Sequence, residues 1–267
     1  MKIFHSVNAE GERERLFHLN GSEREVIREH NLVTCVLTDN KSVMVNKSQG
    51  DENVLLSLPK NFDSLKNYYS FVLSDDDRIA GRHTKTVYVK PRDGFRYGHK
   101  LWIDAETGLL LSSELLNERN RTVERIMFTE LEIVDKISSD LLKPTVNGEK
   151  FTWHKEMSDE GVTEPGASNW TVTDMPKGFR ASRHHVRHES NKPNSIEHIV
   201  LSDGLASVSI YVERLLEENK LFIGASFMGA VNVYGAVIDD HQVTVVGEVP
   251  KATVKMIASS VESVDLF

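Results

Sequence analysis

The densest group of chemistry-bearing side chains is RASRHHVRHES, residues 180–190. Three histidines in five residues suggest a metal site. On a strand, however, Arg183, His185 and Arg187 project one way and His184, Val186 and His188 the other. Neither face then carries three histidines, and an arginine beside a histidine pair repels a divalent cation. A tetrahedral site needs convergent ligands, which this spacing does not supply. Arginine forks suit a phosphate or carboxylate better. Arg183, His184, His185, Arg187 and His188 are therefore the candidate contact for an anionic headgroup or an acidic partner, and no metal is expected. The competing reading is a plain exposed strand and loop.

Elsewhere chemistry is sparse. SDDDR, residues 74–78, groups three acids, but a calcium loop spaces its ligands and adds a distal glutamate. A solvated turn explains it more simply. The single cysteine, Cys35, sits in the apolar run LVTCVL with no base nearby, so it reads as a packed strand residue. One cysteine forms no internal disulfide. No G-x-S-x-G, H-E-x-x-H, Walker loop or G-x-G-x-x-G after a strand is present. These observations point away from an enzyme, and no cofactor is expected. A net charge of −8 over 267 residues points away from general nucleic-acid binding, which needs basic surface to replace counterions.

What would position these residues is a protein made mostly of antiparallel strands. RLFHL, EVIRE, LVTCVL and SVMVN are short segments between polar turns. A short helix with Phe62 and Leu65 on one face is expected after Pro59. Longer strands follow. Val87 and Val89 share a face, Leu101 and Ile103 alternate against Trp102, and Leu109 and Leu111 resume the alternation after the turn DAETG. Together these hairpins predict a curved meander with one apolar face. Residues 138–167 are rich in Ser, Gly, Pro and acid and read as a linker, with Phe151 and Trp153 able to dock it. This divides the chain into 1–137, the linker 138–167, and 168–267. In the last part Val208, Ile210 and Val212 form one strand face. A hairpin turns near Asp239 and Asp240, and Pro250 opens a helix with Val254, Ile257, Ala258 and Val261 in one stripe. The apolar span 221–238 has a length near the lower limit for crossing a bilayer, but its glycines, Asn232 and valines make it a loop and a buried strand. The opening residues do not have the form of a signal peptide.

Several segments carry a resemblance. RIAGR (78–82), RYGHKLWIDAETGLLLSSELLNERN (96–120) and FTELEI (128–133) closely resemble the N-terminal domain of the RseB/MucB family of sigma-E regulatory proteins. MPKGF (175–179), LSDGL (201–205) and VTVVGEVPKATVKMIASSVE (243–262) resemble its C-terminal domain. The resemblance implies an α+β, mostly antiparallel protein: a Lol-like open half-barrel over 1–137 and a smaller α+β C-terminal domain over 168–267. It implies a non-catalytic periplasmic negative regulator of the sigma-E envelope stress response. Such a protein binds the periplasmic domain of a membrane anti-sigma factor, shields it from proteolysis and senses lipid or lipopolysaccharide-like ligands. The apolar face of the meander, Val87, Val89, Leu101, Ile103, Leu109 and Leu111, is then the candidate groove for acyl chains. A lipid or lipoprotein carrier of the Lol type is the alternative, though it leaves the C-terminal domain without a role. Relative to the family, the signal peptide, first helix and first strand are missing. That implies a shortened form whose KIFHSV segment is a sheet edge prone to homo-oligomer formation.

Overall fold

The structure is a computed structural model that describes residues 1–9, 11–47, 62–145, 149–156, 162–163, 168–188, 195–216 and 221–264. In chain order the first strands are β1 (Lys2–Asn8), β2 (Gly11–Phe17), β3 (Arg24–Glu29), β4 (Leu32–Leu37) and β5 (Ser42–Lys47). Next come β6 (Tyr69–Leu73), β7 (Asp77–Ile79), β8 (Arg82–Pro91), β9 (Gly98–Asp104), β10 (Leu110–Leu116) and β11 (Thr122–Met127). The segment read as a linker contributes β12 (Thr152–Glu156). The remainder is β13 (Val162–Thr163), β14 (Trp170–Val172), β15 (Arg180–His188), β16 (Ser195–Ser202), β17 (Ser207–Arg214), β18 (Gly224–Met228), β19 (Val231–Ile238), β20 (His241–Gly247), the helix α1 (Lys251–Ala258) and β21 (Val261–Ser263).

Contacts divide the chain into two compact units, residues 1–54 with 132–159, and residues 55–131 with 160–267. The first unit is a sheet ordered β1-β2-β3-β4-β5-β12. Its hairpins are antiparallel, whereas β12 joins β5 in parallel, Trp153 opposite Val43. Val36, Val43 and Val45 form its small core, against which Phe151 packs. Trp153 stays half exposed at 49 %. The linker segment is fastened by a buried ion pair: Arg15 Nε donates to Glu25 Oε2 at 3.1 Å, and Thr145 N donates to the same oxygen at 3.0 Å. Cys35 lies in β4, and burial raises its thiol pKa.

The second unit holds two larger sheets and a two-stranded ribbon of β14 and β21. One sheet runs β11-β10-β9-β8-β6, with β7 also on β8; the other runs β13-β15-β16-β17-β20-β19-β18. No path among the described residues closes into a barrel, and α1 is the single α-helix among them. The expected helix near Phe62 is reduced to a 3₁₀ turn, Leu65–Asn67. Leu65 alone is buried there, too short an apolar stripe to hold a full helix.

Apolar alternation sets the C-terminal core. Val208, Ile210 and Val212 face Val243 and Val245, all within 2 % of full burial, and α1 lays Val254, Ile257 and Ala258 onto them. Each such side chain gains roughly 1.5–3 kcal/mol on leaving water. The helix is shorter than the stripe suggested. It ends at Ala258, and Val261 begins β21, whose pairing with β14 keeps it buried without another helical turn. The span 221–238 is a hairpin of β18 and β19, not a loop and a strand. The turn at Asp239 and Asp240 falls as expected, with φ of 45° and 59°.

Candidate functional site

Three consecutive residues just before β9 each grip a different part of the C-terminal half. The Phe95 carbonyl accepts a hydrogen bond from Thr253 Oγ1 of α1 at 2.7 Å. Tyr97 Oη accepts one from Asn232 Nδ2 of β19 at 2.9 Å. Between them, Arg96 is 1 % exposed. Its Nε donates to Asp203 Oδ2 at 2.6 Å, and its terminal nitrogens donate to Asp93 and to the Lys177 carbonyl. The rings of Tyr68, Tyr69 and Phe179 surround the guanidinium at 5.0, 5.7 and 5.1 Å. That geometry favours a cation over aromatic faces.

Asp203 is satisfied on both oxygens. Tyr69 Oη donates to Oδ2 at 2.9 Å, while the Leu205 and Ala206 amides donate to Oδ1 at 2.9 and 2.8 Å. This carboxylate thus closes the β16–β17 turn and holds Arg96 with the same group. Burial and the Asp203 charge push the Tyr69 hydroxyl far above its usual range, so it serves as a permanent donor. Burial opposes the charge on Arg96, but the bonds to Asp203 and Asp93 outweigh it and raise its pKa. Gly178 makes the junction possible. Its φ is +93°, and a Cβ there would collide with the Tyr68 ring.

A cavity of about 310 Å³ opens beside this junction, lined by Tyr97, His99, Leu115, Leu205, Ser207 and Glu248 among others. His99 is 6 % exposed. Burial lowers its pKa to about 4, against the pull of Asp203, so the ring is neutral at pH 7. Partial desolvation, then repulsion from Glu124, raises the Glu248 carboxyl. The arrangement holds two elements together and offers a recess. Within it no nucleophile is hydrogen-bonded to a base. Among the described residues no group of three or more His, Cys, Asp or Glu is placed to hold a metal ion.

The histidine cluster separates across its strand. His184 is 2 % exposed, with Nε2 at 2.9 Å from Glu197 Oε2, and Ser168 Oγ donates to that same oxygen at 2.8 Å. It belongs to the buried side. Arg183 and His185 lie toward the other face, where His185 stacks on His198 at 6.2 Å and His198 on Tyr211 at 4.4 Å. Burial first, and then the positive Arg183, lower the His185 pKa; burial and His185 do the same to His198. The backbone of Arg187 and His188 pairs with Ile196 and Ser195, and their side chains lie outside what is described.

The candidate groove residues also divide. Val87, Val89, Leu101 and Ile103 do share a face, but Leu65, Tyr69 and Leu205 pack onto it. The register of β9 and β10 shifts between Leu110 and Ser112. This bulge gives Leu110 to that face and sends Leu111 to the opposite one, against Ile79 and Trp102. Leu109 stays 39 % exposed ahead of the strand.

Comparison with known proteins fits this architecture. The family description "MucB/RseB N-terminal domain" matches residues 1–146, and "MucB/RseB C-terminal domain" matches residues 164–262. The chain belongs to the MucB/RseB family. It is 31 % identical over 271 residues to the sigma factor AlgU regulatory protein MucB of Pseudomonas aeruginosa, covering 97 % of this chain and 80 % of that protein. It is 27 % identical over 248 residues to the sigma-E factor regulatory protein RseB of Haemophilus influenzae, covering 93 % and 76 %. Two solved structures of MucB with MucA are similar. One, MucB in complex with MucA(peri), has a TM-score of 0.73 at 30 % identity, covering 98 % of this chain and 86 % of that one. The other, the MucA/MucB complex of Pseudomonas aeruginosa, has a TM-score of 0.74 at 29 % identity, covering 98 % and 87 %. Within this MucB/RseB chain, the segments RYG, MPKGF and LSDGL meet at one point, since they supply Arg96, Lys177 with Phe179, and Asp203.

Proposed function

We propose that this chain is a periplasmic negative regulator of an envelope-stress sigma factor. It binds the periplasmic domain of a membrane anti-sigma factor of the MucA kind and shields it from proteolysis. It lets go when a lipid or lipopolysaccharide-like ligand arrives. The observation that carries this reading is the likeness to MucB solved in complex with MucA, extending over 98 % of the chain. No helix among the described residues is long and apolar enough to cross a membrane.

The lipid arm of the proposal rests on the face formed by Val87, Val89, Leu101 and Ile103, which Leu205 covers. Leu205 stands two residues from Asp203, whose carboxylate holds Arg96. An acyl chain entering beneath Leu205 gains ~0.8 kcal/mol per buried CH₂ and works against the same turn that maintains the junction. Arg183 and His185 are the proposed contact for acid, whether in the headgroup or in the partner.

The test is titration calorimetry with the cognate anti-sigma periplasmic domain, followed by protease protection of that domain with and without lipopolysaccharide. Absence of binding sinks the proposal. Binding without protection removes the shielding role, and protection insensitive to lipopolysaccharide removes the sensing role.

A further inference from the structure

We infer that the cavity beside the Arg96 junction binds a small aliphatic amino alcohol, its ammonium at a mouth formed by Glu248 and Glu124 and its hydroxyl on His99. This goes beyond the regulatory reading and does not depend on it. One wall is built by register. His99 of β9 lies opposite Leu115 of β10, and Leu115 opposite Glu124 of β11, so all three share one face of their sheet. The facing wall comes from the ladder of β17 and β20. Val208 pairs there with Gly247, which brings Ser207 and Glu248 to the same end of that ladder, where both line the cavity.

Floor, middle and mouth each ask for a different part of the ligand. His99 is 6 % exposed and forms part of the cavity wall, yet its ring has no hydrogen-bond partner among the described residues. A buried imidazole in that state is costly, and the neutral ring offers one donor and one acceptor to whatever enters. Tyr97, also in the wall, accepts from Asn232 and has its own O–H left to give. In the middle the lining is apolar, with Leu115 and Leu205. Glu248 and Glu124 are exposed, which sets them at the mouth and not the floor. Neither has an ion-pair partner among the described residues. Arg125, next to Glu124 in β11, pairs with Glu114 instead, and Arg96 is spent on Asp203 and Asp93. An ammonium between the two carboxylates relieves their mutual repulsion and makes charge-assisted hydrogen bonds. A short alkyl chain then fills the middle, and a neutral hydroxyl satisfies the floor. A volume of about 310 Å³ suits a ligand of this size. A lysine side chain of a polypeptide does not fit this order, because its backbone would have to lie at the floor. An anionic amphiphile meets the two acids first.

The experiment titrates the full chain, labelled in its histidine rings, with four probes of one length: aminohexanol, hexylamine, hexanediol and hydroxyhexanoate. NMR follows the His99 ring signal, assigned by its loss in His99→Gln. Aminohexanol is expected to move that signal saturably. Hexylamine and hexanediol, each lacking one end group, are expected to bind about fivefold or more weakly, and hydroxyhexanoate not to saturate. Glu248→Gln, at an exposed position that the fold tolerates, is expected to weaken aminohexanol about tenfold while leaving hexanediol unchanged. A His99 signal that aminohexanol does not move would overturn the inference. Hexanediol or hydroxyhexanoate binding as tightly as aminohexanol would overturn it too, since the mouth would then not select positive charge. So would aminohexanol binding that is indifferent to Glu248→Gln.

Discussion

Arg96 Nε lies 2.6 Å from Asp203 Oδ2, and neither side chain is exposed to solvent. The pair spans 107 positions in sequence and fastens the approach to β9 to the β16–β17 turn. Removing one member leaves the other buried and uncompensated, which costs about 3–5 kcal/mol. Asp203→Leu and Arg96→Met should each lower the urea midpoint accordingly. A double variant, Arg96→Met with Asp203→Leu, should cost less than the sum. Additive losses in this cycle would mean the pair is not coupled as its geometry requires.

His99 gives stability a definite pH dependence. The unfolded chain takes up its proton near the ordinary value of about 6.5. In the fold that happens only near 4. As pH falls across this window the unfolded state binds more protons, so stability declines, by about 3 kcal/mol in all. His99→Gln should flatten this part of the profile, read from chemical denaturation at several pH values. An unchanged slope in the variant would assign the dependence to other groups.

Asp104 acts lower on the same scale. Hydrogen bonds from Arg82 and Thr107 lower its pKa to about 2. A depressed carboxylate contributes stability that is present above its unfolded pKa, about 3.9, and lost as pH falls through the folded one. Arg82→Met should therefore lower stability above about pH 4, flatten the loss below it and leave the His99 window unaltered. The check is the acid limb of the same denaturation series.

Gly178→Ala should be far more damaging than an alanine at most turns. Its backbone is left-handed, and the new methyl would strike Tyr68, one of the rings around Arg96. A loss of about 2 kcal/mol or more is expected by thermal unfolding. Gly108→Ala is the comparison: it shares the positive φ but nothing lies within 4 Å, so it should pay the strain alone.

Partner binding should respond to Arg183. If an acidic segment of the anti-sigma domain meets Arg183 and His185, Arg183→Ala should weaken binding by roughly 1 kcal/mol, about fivefold, and reduce its sensitivity to salt. Because the His185 and His198 pKa values are lowered, any gain in affinity on acidification should fall below the ordinary histidine range. Calorimetry at two pH values and two salt concentrations measures both effects.

The strands were legible because alternation is local. Val208, Ile210 and Val212 announce their face by spacing alone, and they are buried as expected. Trp102 was correctly set against Leu101 and Ile103. The bulge at Leu111 was not legible, since an extra residue in a strand leaves no trace in composition, and it turned Leu110 inward in place of Leu109. β12 was hidden for another reason: its ladder partner is more than one hundred residues away, and TWHKE has no apolar face to advertise. The junction lay in plain view within RYG and LSDGL, but nothing in either segment names the other. The histidines misled because a sidedness rule distinguishes two faces without saying which one meets solvent. Here His184 went inward to Glu197.

The parallel strand β12 has a consequence for the order in which this chain can be completed. β1 to β5 are successive hairpins that can form as soon as they emerge, but the sheet's sixth place waits until Thr152–Glu156 has been made. Before that happens the whole β6–β11 meander must appear, and its Arg96 in turn waits for Asp203. Each unit therefore holds a vacancy that only a later stretch of its own, separated in sequence, fills. Such interleaving raises the mean separation of contacting residues, which slows folding. During synthesis the open flank of β5 stays an unpaired sheet edge until β12 arrives, the kind of edge at which a stalled chain can pair wrongly.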